Sequence, residues 1–265
     1  MTAPMAEMGT VEAVRLISKG CWEMTVHAPF NAAHNRAGQF VHVRVGDNFN
    51  PFLRRPLSVG PCQSGWLQLL FTVRGRGTKL LAKRLPGDRL DIIGPLGNPY
   101  PSPRNDELAV LLAGGIGIVP LLLLDEQMPP TQERIFVAGF RSEDSLTVRR
   151  AELTDRRIEV ATDDGSLGFK GTAVELLQNR LQNISPHAIR VYACGPGPML
   201  AALKRLCRER RIPAYVSLEV PMGCGLGACQ SCAVPRADGN GYLLVCHDGP
   251  VFDISDVDLT PENLP

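Results

Sequence analysis

The sequence predicts a multidomain α+β chain. An antiparallel β-barrel is expected over residues 1–103, a parallel-sheet α/β domain over 104–218 and a small C-terminal loop domain over 219–265. Three observations carry this expectation. Short β-type runs broken by Gly, Pro and Asn turns fill the first hundred residues, apolar runs alternate with amphipathic stretches after them, and glycine and cysteine crowd the end. At 265 residues the chain exceeds one domain of roughly 100–150 residues. Hydrophobic residues at 44% and charged ones at 21% allow a buried core and exclude broad disorder. Lys plus Arg number 28 against 27 Asp plus Glu, so a net charge of +1 gives no overall attraction to nucleic acid or to an anionic membrane.

In the barrel region, residues 39–45 (QFVHVRV), 55–59 and 66–73 (WLQLLFTV) read as strands. A helix-like insert over 78–85 stops at Pro86 and Gly87, and a strand over 89–93 follows. The proline-rich joint 98–103 (NPYPSP) marks the change of texture. Beyond it, strands are expected over 108–113, 134–140, 157–161, 189–193 and 214–218, with helices over 172–182 and 198–210. A helix after Leu146 is poorly marked, because TVRRAEL offers few apolar contacts. Residues 108–124 carry no charge, yet three glycines and Pro120 interrupt them and they fall short of the roughly 20 residues of a membrane span. A buried strand turning into a helix is the expectation there. The opening MTAPMAEMGT lacks the basic and then apolar run of a signal peptide, which makes the cytoplasm the default location. After Glu219 there is too little apolar matter for a core, so something else is expected to hold the segment together.

That something is suggested by Cys224-x4-Cys229-x2-Cys232-x13-Cys246. Three thiols on a glycine-bearing loop and a fourth returning on a hairpin match the plant-type spacing of 2Fe-2S ligands. Gly223, Gly225 and Gly227 suit a loop that needs unusual backbone angles and free amide donors near sulfur. Structural zinc is the competitor, but it usually shows two close C-x2-C pairs and only one is present. Redox-active thiols are the remaining alternative. Cys21, Cys62 and Cys207 lack any repeating spacing and read as small core residues.

Further signals point to anionic cofactors. Arg55-Pro56-Leu57-Ser58 on a barrel strand and Gly77-Thr78 at a helix start could grip phosphate, the Arg as a fork and the helix amides as a cradle. An ordinary surface strand and N-cap would look the same. Gly114, Gly115 and Gly117 follow an apolar strand directly, where glycine lets a pyrophosphate approach the backbone or lets a buried turn pack tightly. The fingerprint is incomplete, since Pro120 stands in the place of a third glycine. Asp163 in TDDGS and Gly195-Pro196 in CGPGPM lie where two further parallel strands would end, so both are candidates to line one crevice. Each could equally be a loop shaped by its turn residues.

Together these pieces resemble the ferredoxin-NADP reductase superfamily, and within it the electron-transfer subunits of class B dihydroorotate dehydrogenases, over nearly the whole chain. The resemblance implies that Arg55, Pro56, Leu57, Ser58, Gly77 and Thr78 hold FAD, with Leu70, Phe71 and Thr72 lining the flavin. It implies that Gly114, Gly115, Gly117, Gly195 and Pro196 hold NAD, with Asp163 kept as the strand-end candidate for the same crevice, and that Cys194 lies near the nicotinamide as the catalytic candidate. It also implies a hetero-oligomer of two chains of each kind with an FMN-containing dihydroorotate dehydrogenase catalytic subunit. The nearest alternative keeps the cofactors and changes the partner, as in the small subunit of a bifurcating or ferredoxin-dependent NAD(P)H oxidoreductase or a sulfhydrogenase. Hydride transfer to a flavin needs no positioned general base, and the scattered His27, His34, His42, His187 and His247 form no triad.

Overall fold

A computed structural model describes residues 3–46, 50–104, 106–185 and 188–260; His187 lies outside them. The first unit comprises β1 (Met5–Ser18), β2 (Cys21–His27), α1 (Pro29–His34), β3 (Phe40–Val43), β4 (Arg55–Gln63), β5 (Trp66–Thr72), α2 (Arg76–Leu81) and β6 (Arg89–Leu96). Its strands close into a barrel in the order β1-β2-β5-β4-β3-β6, with β6 pairing back onto β1 antiparallel. Closure leaves no open sheet edge. Inward positions are apolar, among them Val26, Val41, Val43, Leu69 and Ile92, all fully buried.

The apolar pattern does not reveal β1 and β2. Most of β1 is exposed or half-exposed, so only Val11 and Gly9 are buried, while β2 buries Glu23 beside Met24 and so hides its own alternation. Glu23 is tolerated there because Gln68 Nε2 donates to it at 2.7 Å and Arg149 Nη2 at 3.1 Å.

The second unit contains β7 (Leu108–Gly114), α3 (Ile118–Gln127), β8 (Arg134–Phe140), α4 (Arg150–Asp155), β9 (Glu159–Thr162), β10 (Phe169–Lys170), α5 (Ala173–Arg180), β11 (Ile189–Cys194), α6 (Gly197–Arg210) and β12 (Ala214–Ser217). The poorly marked helix exists as α4, one short turn anchored by the single buried Leu153. Helix α5 begins with a capping box in which Thr172 Oγ1 accepts from the Glu175 amide at 3.2 Å and Glu175 accepts from the Thr172 amide at 2.7 Å. Helix α3 is buried almost all round because it packs against β4 of the barrel as well as β7, so one apolar core spans both units. Among the described residues no helix is long and apolar enough to cross a membrane.

The last segment adds β13 (Ala233–Pro235), β14 (Tyr242–Leu244) and β15 (Val251–Asp253). The sheet order is β10-β9-β8-β7-β11-β12-β15, parallel except for β15, which runs antiparallel beside β12. The expectation of a coreless tail is corrected here: Val220, Val234, Val245, Phe252, Ile254 and Val257 are buried against the α5/α6 face of the sheet. They are too widely spaced in sequence to show a period, and they find their core only on a neighbouring unit.

A bidentate pair ties β7 to β11. Arg190 Nε and Nη2 donate to the two carboxylate oxygens of Glu107 at 2.7 and 2.8 Å, with both side chains largely buried. The hydrogen bonds from Arg190 lower the Glu107 pKa. A lowered carboxylate pKa stabilises the fold above the unfolded value of about 4.3, and that contribution fades as pH falls through the folded value. Glu107→Gln keeps one acceptor and loses the charge, so it is expected to cost about 1–2 kcal/mol in urea unfolding at neutral pH. The difference from wild type should shrink in acid; a difference that held steady below pH ~4 would exclude the ion pair as its source.

Candidate functional site

Strand β4 and the turn into α2 bring together two of the motifs. A Cβ placed on Gly77 would lie 2.6 Å from Arg55 Nε and 2.9 Å from its Cζ, so the guanidinium rests directly on the glycine. Arg55 Nη1 donates to the Leu53 carbonyl at 2.5 Å, which fixes the side chain along the strand start. Thr78 lies two residues into α2, whose first residue is Arg76. From there its hydroxyl accepts from the Arg74 and Gly75 amides at 3.0 and 3.2 Å and shapes the turn. Pro56, Ser58 and Thr72 are half-buried, whereas Leu57, Leu70 and Phe71 are buried.

The glycines after β7 divide into two kinds. Gly114, Gly117 and Gly195 are needed for packing: a Cβ on Gly117 would fall 2.3 Å from the Cys194 carbonyl oxygen, and one on Gly195 would fall 2.9 Å from the Gly114 nitrogen. On Gly114 it would meet the Pro196 ring at 2.6 Å and Met199 Sδ at 2.8 Å. Gly115 differs, with φ at +53° and nothing within 4 Å of a Cβ, so it alone opens to space. The chain runs from β7 outward through β8 and β9 on one side and through β11 and β12 on the other. The β7/β11 gap is therefore the topological switch point where ligands of open α/β sheets bind. The short 3₁₀ turn at Gly115–Gly117 also touches β5, placing the crevice beside the strand that carries Leu70, Phe71 and Thr72. Asp163 is exposed at the end of β9, its amide donating to the Phe140 carbonyl at 3.2 Å. Cys194 is 8% exposed, and burial pushes its thiol up to about 12, so it stays protonated and is no nucleophile at neutral pH.

The four clustered thiols form two pairs. Cys224 Sγ accepts from the Cys229 and Leu226 amides, both at 3.4 Å, while Cys229 Sγ accepts from the Cys224 amide at 3.3 Å. Cys232 Sγ and Cys246 Sγ are 3.3 Å apart, and Cys246 Sγ accepts from the Gly227 amide at 3.1 Å. Among the described residues no three His, Cys, Asp or Glu side chains converge as a single metal ion needs. A two-and-two arrangement ringed by amide donors suits two bridged irons rather than one zinc. Gly225 and Gly227 take φ of +71° and +81°, the left-handed backbone that aims those amides inward. Ser231 bonds to Cys229 Sγ at 3.2 Å, and its hydrogen bonds lower that thiol to about 6, toward the thiolate that iron binds. The joint clamps this loop from behind: Asn98 Nδ2 donates to the Asp248 carbonyl at 2.8 Å.

Comparison with known proteins agrees with this geometry. The family described as the iron-sulfur cluster binding domain of dihydroorotate dehydrogenase B matches residues 219–258. The dihydroorotate dehydrogenase B (NAD(+)) electron transfer subunit of Geobacillus kaustophilus is 38% identical over 95% of this chain and 98% of its own length. The chain belongs to the dihydroorotate dehydrogenase B electron transfer subunits. The corresponding subunit of Desulforamulus reducens is also 38% identical, over 91% of this chain and 94% of its own. The solved NADH-dependent reduced ferredoxin-NADP oxidoreductase, 27% identical, superimposes with a TM-score of 0.84 over 98% of this chain and 91% of that one. A ferredoxin NADP+ reductase from Neisseria gonorrhoeae with bound FAD and NADP shares the fold, with a TM-score of 0.62 at 17% identity over 79% of this chain.

Within this dihydroorotate dehydrogenase B subunit, three residues at the site escape motif reading. Ser231 sits inside the cysteine motif, and only its place next to two thiols marks it. Thr147 donates to the Gly115 carbonyl at 3.0 Å from a loop with no recognisable pattern. His42 is buried on β3 under the cysteine loop, and burial lowers it to about 4, so it is neutral. Nothing in QFVHVRV separates it from an ordinary strand residue.

Proposed function

We propose that this subunit carries electrons between an FMN-containing dihydroorotate dehydrogenase catalytic subunit and NAD+, through a 2Fe-2S cluster and FAD. Residues 1–103 take the flavin, 104–218 the nucleotide and 219–265 the cluster, with Cys224, Cys229, Cys232 and Cys246 as ligands. The observation that carries this reading is the pairing of four sulfurs two and two under inward amides, in a member of this family. Bound together, the flavin supplies the exchange between paired and single electrons that nicotinamide and an iron-sulfur centre require. The chain's own part is placement. Arg55 against Gly77 offers a fork for phosphate, Gly115 offers open backbone at the switch point, and neutral Cys194 lines that crevice without entering the chemistry as a nucleophile. The curated relatives are electron transfer subunits of this one enzyme, which favours it over a bifurcating or sulfhydrogenase assembly. Two copies of each chain and a cytoplasmic location complete the proposal.

Anaerobic purification tests it, with iron and labile sulfide expected in equal amounts and a 2Fe-2S paramagnetic signal on reduction. Protein without iron would sink the ligand assignment. Arg55→Ala tests the flavin side separately. Losing a charged fork to phosphate is expected to cost about 2 kcal/mol, about 30-fold in FAD affinity. Wild-type flavin retention in that variant would remove Arg55 from the site.

A further inference from the structure

His42 is 1% exposed, and neither ring nitrogen has a hydrogen-bond partner. A buried polar group left unpaired costs about 1–3 kcal/mol, so such a group calls for a reason. Its neighbours narrow the reason. Val41 and Val43 on either side point into the barrel core, whereas Phe40 packs with the core that contains Cys232 and Cys246, so His42 faces out of the barrel toward the cysteine loop. A Cβ on Gly225 would lie 2.6 Å from His42 Nδ1 and 3.1 Å from Cε1, so the loop between Cys224 and Leu226 lies on the imidazole edge, close enough only because residue 225 is glycine. The ring of Phe40 meets His42 edge-on at 6.5 Å and walls one side. Across the ladder, His42 pairs with Pro56, the neighbour of Arg55. This imidazole thus stands between the proposed flavin strand and the proposed iron loop.

We infer that His42 is a positioning residue for the iron-sulfur loop, its imidazole N–H held at Cys224–Gly225 to donate a hydrogen bond to sulfur of the cluster. A neutral imidazole carries one N–H in either tautomer; the Cys224 and Arg54 backbones lie beside the ring, but neither meets a ring nitrogen in hydrogen-bond geometry, which leaves thiolate or sulfide as the acceptor for that donor. Donors to sulfur stabilise the more negative, reduced centre and raise its potential. Because β3 is hydrogen-bonded to β4, the same residue would fix the loop's distance from the flavin strand. The inference rests on the four-cysteine assignment proposed above.

The test uses the holoprotein, with the cluster potential followed by its paramagnetic signal during a redox titration, and with iron and flavin content measured in parallel. His42→Leu removes the donor and keeps most of the volume; His42→Gln restores an N–H. The expected result is an about tenfold fall in the reduction equilibrium constant of H42L, about 59 mV for one electron, at unchanged iron and flavin content. H42Q should recover most of it. A wild-type potential in H42L, equal shifts in both variants, or a shift confined to the flavin would each overturn the inference. Should H42L fail to keep iron, H42Q decides: iron and potential near wild type support the donor, and loss of iron in both makes His42 a packing residue. Wild-type protein lacking iron would instead defeat the cysteine assignment itself.

Discussion

Cys229→Ala is expected to yield a folded protein that keeps its flavin, shows no 2Fe-2S signal and delivers electrons to its partner subunit about 100-fold more slowly or worse. Loss of an outer-shell partner of a metal already costs about 10–100-fold, and loss of a ligand exceeds that. The choice of cysteine matters. Cys229 is exposed, so truncation opens no internal cavity, and its thiol does not contribute to either core. Cys246 is 3% exposed among core side chains, and its removal would mix a packing defect with the loss of a ligand. Reduction of a dye by NADH needs the nucleotide crevice and the flavin, so it should persist in C229A. A variant that kept the paramagnetic signal and full delivery to the partner would exclude Cys229 as a ligand. A wild-type protein that held zinc would show neither signal nor colour from iron.

How much of this is legible in the sequence depends on whether a residue acts through its neighbours in sequence or through space. Cys224, Cys229, Cys232 and Cys246 announce themselves because three of them occupy one turn and the amides that ring them belong to the same turn. The central parallel strand is equally plain, since burial on both faces makes β7 a continuous apolar run, and β11 departs from that pattern chiefly at Arg190. Strands β1 and β2 are not, because one is mostly exposed and the other buries Glu23, whose partners Gln68 and Arg149 lie 45 and 126 residues away. β15 is hidden for a related reason, being three residues long and dependent on β12 for its register. The glycine motif was legible as a motif and ambiguous in purpose. Only the structure separates Gly117, which another backbone presses against, from Gly115, which nothing touches.

That separation makes a second large effect testable. Gly117→Ala would set a methyl 2.3 Å from the Cys194 carbonyl oxygen, 2.5 Å from its carbon and 2.8 Å from the Gly195 nitrogen. All three are main-chain atoms at the end of β11, which pairs with β7 on one side and β12 on the other, so none can swing aside as a side chain would. The φ of Gly117 is −63°, so the obstacle is space and not backbone angle. An overpacked site of this kind is expected to cost about 3 kcal/mol, enough to lower the denaturant midpoint clearly or to prevent folding. Gly115→Ala meets no atom but holds φ at +53°, for which a left-handed alanine costs about 1–2 kcal/mol. Its stability loss should therefore be the smaller of the two. If the open backbone at Gly115 is where the nucleotide approaches, the added methyl should raise the KM for NADH in dye reduction more than it lowers kcat. Equal denaturant midpoints for the two variants would refute the packing role of Gly117, and an unchanged KM in G115A would move the nucleotide away from this turn.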